Sequence, residues 1–600
     1  MFTPSIPVSV CHLFFSHSAL HLALLLSSLC SYATGEQQGR RTKDLPNFIV
    51  ILADDLAWND IGAFGNTKVH TPNLDQLASQ GMCFDQAFLT SSSCSPSRAS
   101  ILTGRYPHQT GAEQLHWPIP ESQKIFPERL KLAGYFVAAA GKWHLGEAMR
   151  KHFSMVREVD TSGFQLPANP GAGANDKFAE SSTGDDRSGC TEWVNLLRER
   201  DPQKPFFLWL AAVDPHRPYE DRISTQPHPP EDVLLPPYHP DTDLVRRDYA
   251  RYYDEIRRLD RFVGLVLNEL ELQKAADNTM VIFLSDNGRP FPRDKTSLYD
   301  SGIRTPLIIR WPTTIKPASR CHQLVSAIDL APTILALAGF PAGPSYVGKS
   351  FTPLLEGKDT AIRDAVFAEK NWHDYEDRSH AVRDKRFKYI VNHYADLPAT
   401  PPADAARSDT FKEMQRLRAA GTLPEVQSSC FLAPRPREEL YDLKADPHEL
   451  RNIAGLPAHE DTLTRLRAIT VVEGRLCRAA SGDGAAAAGA GIDATVDKFM
   501  TDGGFAVNVK SNVQTLLSIA DLPLGDTAAV ALALGGLGAG LVLFGAGTAV
   551  ASAGELASSA STAAGQAAGV KTFMDGGGFG QRVHDEVKAL LAINTLIPSD

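Results

Sequence analysis

The chain has 600 residues, 43% of which are apolar, and its formal net charge is −10. A single hydrophobic core stops growing at roughly 250–300 residues, so this length predicts more than one domain. The acidic balance and the lack of a basic run argue against nucleic acid as the main partner.

The N-terminal segment has the features of a secretory signal peptide. An apolar run at 19–26 is followed by the small residues around Tyr32-Ala33-Thr34, although no Lys or Arg precedes the run. The run is too short to span a bilayer, so we interpret residues 1–35 as a signal peptide rather than an anchor. This interpretation predicts a protein of the secretory pathway that is secreted or delivered to a lysosome-like or periplasmic compartment.

Three apolar runs have the length and the β-branched or aromatic content of buried parallel strands, at residues 48–52, 206–211 and 280–284. Each run ends directly in polar residues, which are Asp54-Asp55, Asp214-Pro215-His216 and Asp286-Asn287. In an open α/β sheet the carboxyl ends of the strands form the ligand crevice. The three segments are therefore expected to converge on one site.

Two helices are predicted between these strands. The first follows Thr71-Pro72 and reaches Ser79, with a cap residue, a first-turn proline and a glycine after it. In the second, at 249–270, apolar positions recur every three or four residues, which indicates an amphipathic helix that packs on the sheet.

Residues 94–104 read Cys-Ser-Pro-Ser-Arg-Ala-Ser-Ile-Leu-Thr-Gly. Ser95 is a good N-cap, Pro96 suits the first helical position and Gly104 can end a helix, so Cys94 is expected beside a helix N-terminus. Unpaired N–H groups and the positive dipole end favour an anion there. For an isolated cysteine, a structural or disulfide role is the alternative.

Four oxygen-bearing side chains follow the first and third predicted strands, namely Asp54, Asp55, Asp286 and Asn287. Carboxylate and amide oxygens suit a hard cation such as Ca²⁺ or Mg²⁺ better than zinc. The sequence therefore predicts a metal site at these strand ends.

Basic residues near the other strand ends could serve the same site. Lys142 and His144 are two residues apart, so in an extended stretch both lie on one side. His216 follows a buried strand and is placed to donate a proton. A Lys-x-His pair alone would be an ordinary solvated surface feature. Its significance here comes from the accompanying motifs.

After about residue 360 the predicted strands become shorter, for example at 381–382 and 388–391, and the loops are rich in Pro and Ala. We predict a catalytic domain at 45–360 and a smaller α+β subdomain with a short antiparallel sheet at 361–478.

Residues 479–600 form an Ala/Gly-rich tail with an internal repeat, in which 498–519 aligns with 572–593. Both copies have the pattern of amphipathic helices. The uncharged stretch 528–554 between them is long enough for a membrane helix. A Gly/Ala-rich hairpin buried by the repeats is the other interpretation, so membrane association through the tail is left open.

The run that begins at Cys94 matches, at every fixed position, the signature of the sulfatase family, Cys-x-Pro-Ser-Arg and then Leu-Thr-Gly. Residues 141–146, Gly-Lys-Trp-His-Leu-Gly, and the segments 439–443 and 446–450 also resemble sulfatases. The resemblance, from about 45 to 470, implies the alkaline phosphatase-like α/β fold, with a large, mostly parallel mixed sheet sandwiched by helices.

The resemblance also implies a chemistry. Cys94 would be oxidised by the formylglycine-generating enzyme, and the hydrated aldehyde would attack sulfur, pass through a sulfated intermediate and eliminate sulfate. One calcium ion, rather than magnesium, would be held by Asp54, Asp55, Asp286, Asn287 and residue 94. Arg98 and His144 would orient the diol, and His144 would help to deprotonate it. Lys142 and Lys295 would bind sulfate, and His216 would protonate the leaving group.

Within the family, the segments 285–292 and 371–374 most resemble the heparan N-sulfatases, or sulfamidases. His373 would line the substrate side of the pocket, with a half-buried loop histidine as the alternative. Lys295 stands where sulfamidase has arginine; it keeps the charge and loses the bidentate fork. The expected activity is removal of sulfate from a sulfated glycan at N-sulfoglucosamine.

Three alternatives stay open at this point. One is an O-sulfatase on another polysaccharide. The second is a phosphonate or phosphate ester hydrolase, although such enzymes have an Asp-His metal pair where this chain has Asp286-Asn287. The third is a surface-attached protein in which Cys94 stays a thiol. A homodimer is also left open.

Overall fold

The structure is a computed structural model that describes residues 45–159, 184–219 and 223–480. The predicted signal peptide, the repeat tail and the stretch 528–554 lie outside these residues. In the part that is described, no helix has both the length and the apolar character needed to cross a membrane.

The core of the fold is an eight-stranded sheet with the order β5-β4-β6-β1-β7-β8-β2-β9. Its strands are β1 (Asn47–Ala53), β2 (Met82–Phe84), β4 (Phe136–Gly141), β5 (Met155–Glu158), β6 (Phe206–Ala211), β7 (Thr279–Ser285), β8 (Leu307–Arg310) and β9 (Ser319–Cys321). β8 runs antiparallel to both of its neighbours, and the other pairs are parallel. The short strands β3 (Ala87–Phe88) and β10 (Val325–Ser326) pair separately. The predicted mixed, mostly parallel sheet is confirmed.

The three apolar runs of the sequence are the central strands β6, β1 and β7. In β1, Phe48 and Val50 belong to the hydrophobic cluster on one face of the sheet, whereas Ile49 and Ile51 belong to the cluster on the other. Both faces are covered, which is why the run is continuously apolar instead of alternating with polar residues.

The helices of the described residues are α1 (Pro72–Ser79), α2 (Cys94–Thr103), α3 (Phe126–Leu132), α4 (Trp193–Glu199), α5 (Asp243–Leu272), α6 (Asp300–Ile303), α7 (Leu330–Leu337), α8 (Thr352–Leu355), α9 (Ala403–Ala406), α10 (Asp409–Ala419) and α11 (Glu460–Ala480). The predicted helices at 72–79 and 249–270 correspond to α1 and to most of α5. The apolar side chains of α5 that the periodicity singled out are buried against the sheet.

The start of α2 differs from the prediction. The helix begins at Cys94 itself, with Ser93 in an extended N-cap conformation, and the predicted cap Ser95 lies inside the first turn. The Oγ atom of Ser95 instead accepts a hydrogen bond from the backbone N–H of His116 at 2.8 Å. Gly104 ends the helix with φ +63°, as predicted. Cys94 is therefore the first residue of the helix, whereas a cap at Ser95 would have placed it just before the helix.

A second sheet of four antiparallel strands follows, with β11 (Val366–Lys370), β12 (Ser379–Arg383), β13 (Phe387–Asn392) and β14 (Glu438–Asp442). The antiparallel sheet of the C-terminal part is thus confirmed, and the boundary at residue 360 stays a prediction. Between the paired strands β13 and β14 the chain makes an excursion, 393–437, that contains α9 and α10. This excursion contacts α5, a helix that packs on the large sheet. Thr410 donates to Asp248 of α5 through both its hydroxyl (2.7 Å) and its backbone N–H (3.1 Å).

Candidate active site

The ends of β1 and β7 bring the four predicted metal ligands together. Ala53 and Ser285 are register partners, so the residues after them emerge side by side. The backbone N–H of Asp55 donates to Asp286 Oδ1 at 3.3 Å, and the side-chain amide of Asn287 donates to Asp55 Oδ1. All four side chains are fully buried.

This cluster fits a hard divalent cation. Asn287 Oδ1 is a buried acceptor without a hydrogen-bond donor, which is the state of an oxygen that is available to a metal. Among the described residues, Asp54, Asp55, Cys94 and His216 each offer a ligand atom within 4.8 Å of the others. The predicted ligands Asp54, Asp55, Asp286 and Asn287 offer carboxylate and amide oxygens, which suit Ca²⁺ better than zinc.

Cys94 lies directly beside this cluster, with Sγ 3.4 Å from Asp54 Oδ1. The side chain is buried, and this burial, reinforced by the charge of Asp54, raises the pKa of the Cys94 thiol well above its usual value. The thiolate is the nucleophilic form of cysteine. As an unmodified thiol, Cys94 is therefore a poor nucleophile here.

Arg98, one turn along α2, connects the two strand ends. Its Nε donates to Asp286 Oδ2 at 2.8 Å, its Nη1 donates to the carbonyl of Lys142 at 2.9 Å, and its Nη2 lies 3.5 Å from Asp54 Oδ2. The guanidinium is completely buried. It fixes the carboxylates of Asp54 and Asp286 relative to α2.

Lys142 follows the last residue of β4 and points at the same carboxylates. Its backbone N–H donates to the carbonyl of Ala211 at 2.9 Å, and its Nζ donates to Asp54 Oδ2. Burial alone would raise the pKa of Asp54, but Lys142 and Arg98 outweigh it and hold that pKa well below its ordinary value. Asp54 is therefore an anion in the substrate-free protein.

His144 reaches the pocket from an irregular stretch rather than from an extended one, because its φ is +52°. Its Nε2 lies 2.7 Å from Nδ1 of His116. Burial and the neighbouring rings lower the pKa values of both histidines, that of His116 to about 4. Both rings are therefore neutral near pH 7, and a neutral imidazole can accept a proton.

Lys295 and His216 lie next to Asp55 of the cluster. Lys295 Nζ donates to Asp55 Oδ2 at 2.8 Å and to Asp404 Oδ2 at 2.9 Å. His216 Nε2 lies 3.8 Å from Asp55 Oδ2 and 3.7 Å from Asp404 Oδ2. Burial, with Lys295 and Lys142, lowers the pKa of His216 to about 3.

A pocket opens above these groups. Its lining comprises Cys94, Leu115, His116, Lys142, His144, His216, Lys295, His373, Asp374, Ala403, Asp404 and Arg407. His373 is buried in this lining, with Nδ1 2.7 Å from the Oγ of Ser93. The structure thus brings to one pocket the cysteine, the lysines and the histidines that the sequence singled out. Arg98 and the four predicted metal ligands at the ends of β1 and β7 are buried next to this pocket.

Four polar residues of the lining were missed in the sequence, namely His116, Asp374, Asp404 and Arg407. Asp374 directly follows His373, so its place in the same short segment was an available signal. The other three are far from any recognised pattern in the sequence. Asp404 and Arg407 come from the excursion between β13 and β14.

Comparison with known proteins places this geometry in a family. The family model described as Sulfatase matches residues 46–340, and the model described as N-sulphoglucosamine sulphohydrolase, C-terminal, matches residues 291–428. An ulvan-active sulfatase of Formosa agariphila is 31% identical over 503 residues, covering 76% of this chain and 80% of the relative. The N-sulphoglucosamine sulphohydrolase of Homo sapiens is 32% identical over 471 residues, covering 70% of this chain and 88% of the relative.

Solved structures share the fold at lower identity. A protein in complex with its substrate D-glucosamine-2-N,6-O-disulfate aligns with a TM-score of 0.55 and 21% identity, covering 73% of this chain and 100% of that chain. The phosphonate monoester hydrolase of Agrobacterium radiobacter aligns with a TM-score of 0.53 and 20% identity, covering 73% and 96%. The fold alone therefore does not separate sulfate from phosphonate chemistry. The sequence relatives do, and with the matching family model they show that this chain belongs to the sulfatase family and is a sulfatase enzyme.

Proposed function

We propose that this sulfatase removes N-linked sulfate from glucosamine units of a sulfated glycan, with residue 94 as formylglycine and with one bound Ca²⁺. The observation that carries the proposal is the position of Cys94, in the first turn of α2 and 3.4 Å from Asp54 at the oxygen-rich cluster. The C-terminal family model and the human relative, both described as N-sulphoglucosamine sulphohydrolase, support the N-linked substrate.

The pocket has the charge that a sulfate group requires. Lys142 and Lys295 both line it, and both ammonium groups are buried. The N-terminus of α2 adds backbone N–H groups and the positive end of its dipole. Together with a bound divalent cation, these groups would offset the carboxylates of the cluster where the anion binds.

The carboxylate and amide oxygens of Asp54, Asp55, Asp286 and Asn287 would hold the calcium ion. When bound, a divalent cation stabilises negative charge on a sulfate oxygen as a Lewis acid. Arg98 keeps two of these carboxylates in place through its contacts at 2.8 and 3.5 Å.

Proton transfer is assigned to the histidines on the two sides of the pocket. His144, neutral and held against His116, takes a proton from the nucleophile. His216, on the side of Lys295, gives a proton to the leaving group. A sulfate anion between the two lysines would offset their effect on His216 and therefore raise its pKa.

Modification of Cys94 supplies what its thiol lacks. A hydrated aldehyde carries two hydroxyl groups on one carbon, so one can attack sulfur and the other can drive release of sulfate. The thiol itself is buried beside an anionic carboxylate, which keeps it protonated.

The test is sulfate release by protein produced together with the formylglycine-generating enzyme. We expect turnover of N-sulfoglucosamine oligosaccharides, an aldehyde in the tryptic peptide that ends at Arg98, and loss of turnover in Cys94→Ala. The same preparation is assayed on O-sulfated oligosaccharides and on an aryl phosphonate. Preference for either of these substrates would replace the N-sulfatase assignment, and an unmodified thiol in protein from its native host would remove the enzyme mechanism.

A further inference from the structure

Asp404 brings a carboxylate into the pocket from outside the large sheet. It lies on the short helix α9, whose first backbone N–H, at Ala403, donates to Asp374 Oδ2 at 2.6 Å. The backbone N–H of Ala405 donates to Asp404 Oδ1 at 2.7 Å. These two contacts fix the helix and turn the other oxygen, Oδ2, toward Lys295 and His216.

This carboxylate is charged and sheltered. Its Oδ2 lies 2.9 Å from Lys295 Nζ and 3.7 Å from His216 Nε2, and the side chain is 9% exposed. Burial works against the charge, but Lys295 and His216 outweigh it and hold the pKa of Asp404 well below its usual value. A carboxylate has room for more donors than the two that it already has.

An anionic residue in the pocket of an anionic substrate requires an explanation, since like charges repel. Neutralising Lys295 is not a sufficient reason, because Asp55 already contacts its Nζ at 2.8 Å. Asp404 Oδ2 lies 3.7 Å from Nε2 of His216, the group assigned to protonate the leaving atom. The group that Asp404 faces is therefore the leaving group.

We infer that Asp404 is a specificity-determining residue that accepts a hydrogen bond from the N–H of an N-sulfated amino sugar. This inference rests on the proposed function. When the S–N bond breaks, the electron pair stays on nitrogen and a proton moves to that nitrogen from His216, while sulfur forms its new bond to an oxygen of residue 94. The neutral amine that results takes a second proton from solvent water and becomes an ammonium group, which pairs with the carboxylate of Asp404.

An O-sulfate ester offers nothing to this carboxylate. Its bridging oxygen has no hydrogen to donate and leaves as an alcohol. A site that is built to accept an N–H favours the substrate that supplies one, because the lone pairs of a bridging oxygen would instead face the negative carboxylate. Asp404 therefore favours N-linked over O-linked sulfate.

The test is the variant Asp404→Asn, assayed as full-length, modified protein on N-sulfoglucosamine and on an aryl sulfate. Because Ala405 N–H keeps an oxygen at the Oδ1 position, the new NH₂ group faces the substrate and replaces an acceptor with a donor. We expect the ratio of the two kcat/KM values, N-sulfate over aryl sulfate, to fall about tenfold or more. The matched control is Asp409→Asn, a carboxylate that is 32% exposed on α10 and outside the pocket, and it should leave the ratio unchanged.

A smaller change in the ratio, whatever the loss in each rate, would overturn the inference and make Asp404 only a counter-ion of Lys295. A second measurement is inhibition of aryl sulfate turnover by D-glucosamine, whose ammonium should bind about tenfold more weakly to Asp404→Asn than to the wild type. Equal inhibition would also contradict the inference.

Wild-type protein that turns over aryl sulfate and O-sulfated sugars but not N-sulfoglucosamine would end this inference and leave the sulfatase function intact. Protein that is inactive on every sulfate would end both.

Discussion

At the residue scale, Arg98 shows why the cluster of carboxylates is stable before any metal binds. Asp54, Asp55 and Asp286 lie together without exposure to solvent, which is costly for like charges. Burial and the nearby Asp54 raise the pKa of Asp286 to about 6. The guanidinium of Arg98 contacts two of the three carboxylates and offsets part of that cost.

The variant Asp286→Asn tests the metal assignment. An alanine at this position would leave Arg98 buried without its partner at 2.8 Å, so the isosteric amide is the better choice. We expect calcium affinity and turnover to fall by about 10–100-fold or more, because the site loses one charged ligand. Calorimetric titration of the chelator-treated protein with Ca²⁺ measures the affinity. The control is Asp232→Asn, an exposed carboxylate paired with Lys68, and unchanged affinity in Asp286→Asn would refute the assignment.

That Asp54, Asp55, Asp286 and Asn287 come together could be predicted, because each pair follows a strand that the sequence marks as a long apolar run. Asp404 could not be predicted in this way. It follows no such strand, it lies on a helix of four residues, and it meets Lys295 across a separation of 109 positions. The prediction of Ser95 as the N-cap of α2 was wrong for a related reason, because its hydroxyl oxygen accepts a hydrogen bond from the distant backbone N–H of His116. Local patterns predict local structure and do not include such tertiary partners.

At the element scale, the end of β4 shows how backbone geometry places Lys142 in the pocket. Gly141 has φ +99°, and a Cβ atom there would lie 1.8 Å from the carbonyl oxygen of Ala211 on β6. A glycine is required for both reasons, because other residues rarely adopt that φ and have no space. The turn that it allows directs Lys142 toward Asp54.

Gly141→Ala is expected to destabilise the protein far more than Gly134→Ala. Gly134 has a similar φ of +90°, but a Cβ atom there meets nothing within 4 Å. The strain of the backbone alone should cost about 1–3 kcal/mol at either position, and only Gly141→Ala adds a clash with the neighbouring strand. Urea midpoints of both variants measure the difference. Equal midpoints would contradict this prediction, because they would show that β4 and β6 can move apart at this point without loss of stability.

At the scale of the whole molecule, a buried ion cluster joins the small sheet to the large one. Asp300 of α6 contacts Arg383 of β12 at 3.1 Å and Lys388 of β13 at 2.6 Å. Lys388 also contacts Glu449 at 2.8 Å, and its side chain is completely buried. Removal of one member of such a cluster leaves its partners buried and unpaired.

Asp300→Asn should therefore lower the free energy of unfolding at pH 7 by about 3–5 kcal/mol. Burial opposes ionisation, but Arg383 and Lys388 hold the pKa of Asp300 below its ordinary value. The stabilisation is therefore complete above about pH 4, the usual value for an unfolded Asp, and is lost as the pH falls further. Urea unfolding of the wild type and the variant between neutral and acid pH should show their difference shrinking below about pH 4. A difference that does not change with pH would contradict the role of the ionised carboxylate, and Asp409→Asn should cost under about 1 kcal/mol throughout.

The excursion 393–437 has a consequence for how such an enzyme can be altered. It leaves and re-enters the small sheet at β13 and β14, two strands that already pair with each other, so its ends are close and its length is free to vary. The proposed reacting groups come from the part of the chain that builds the large sheet and its helices, whereas Asp404 and Arg407 come from this insert. If the proposed function holds, exchange of the insert at the same two ends should change which sugar is accepted and leave the sulfate-binding residues of the large sheet in place.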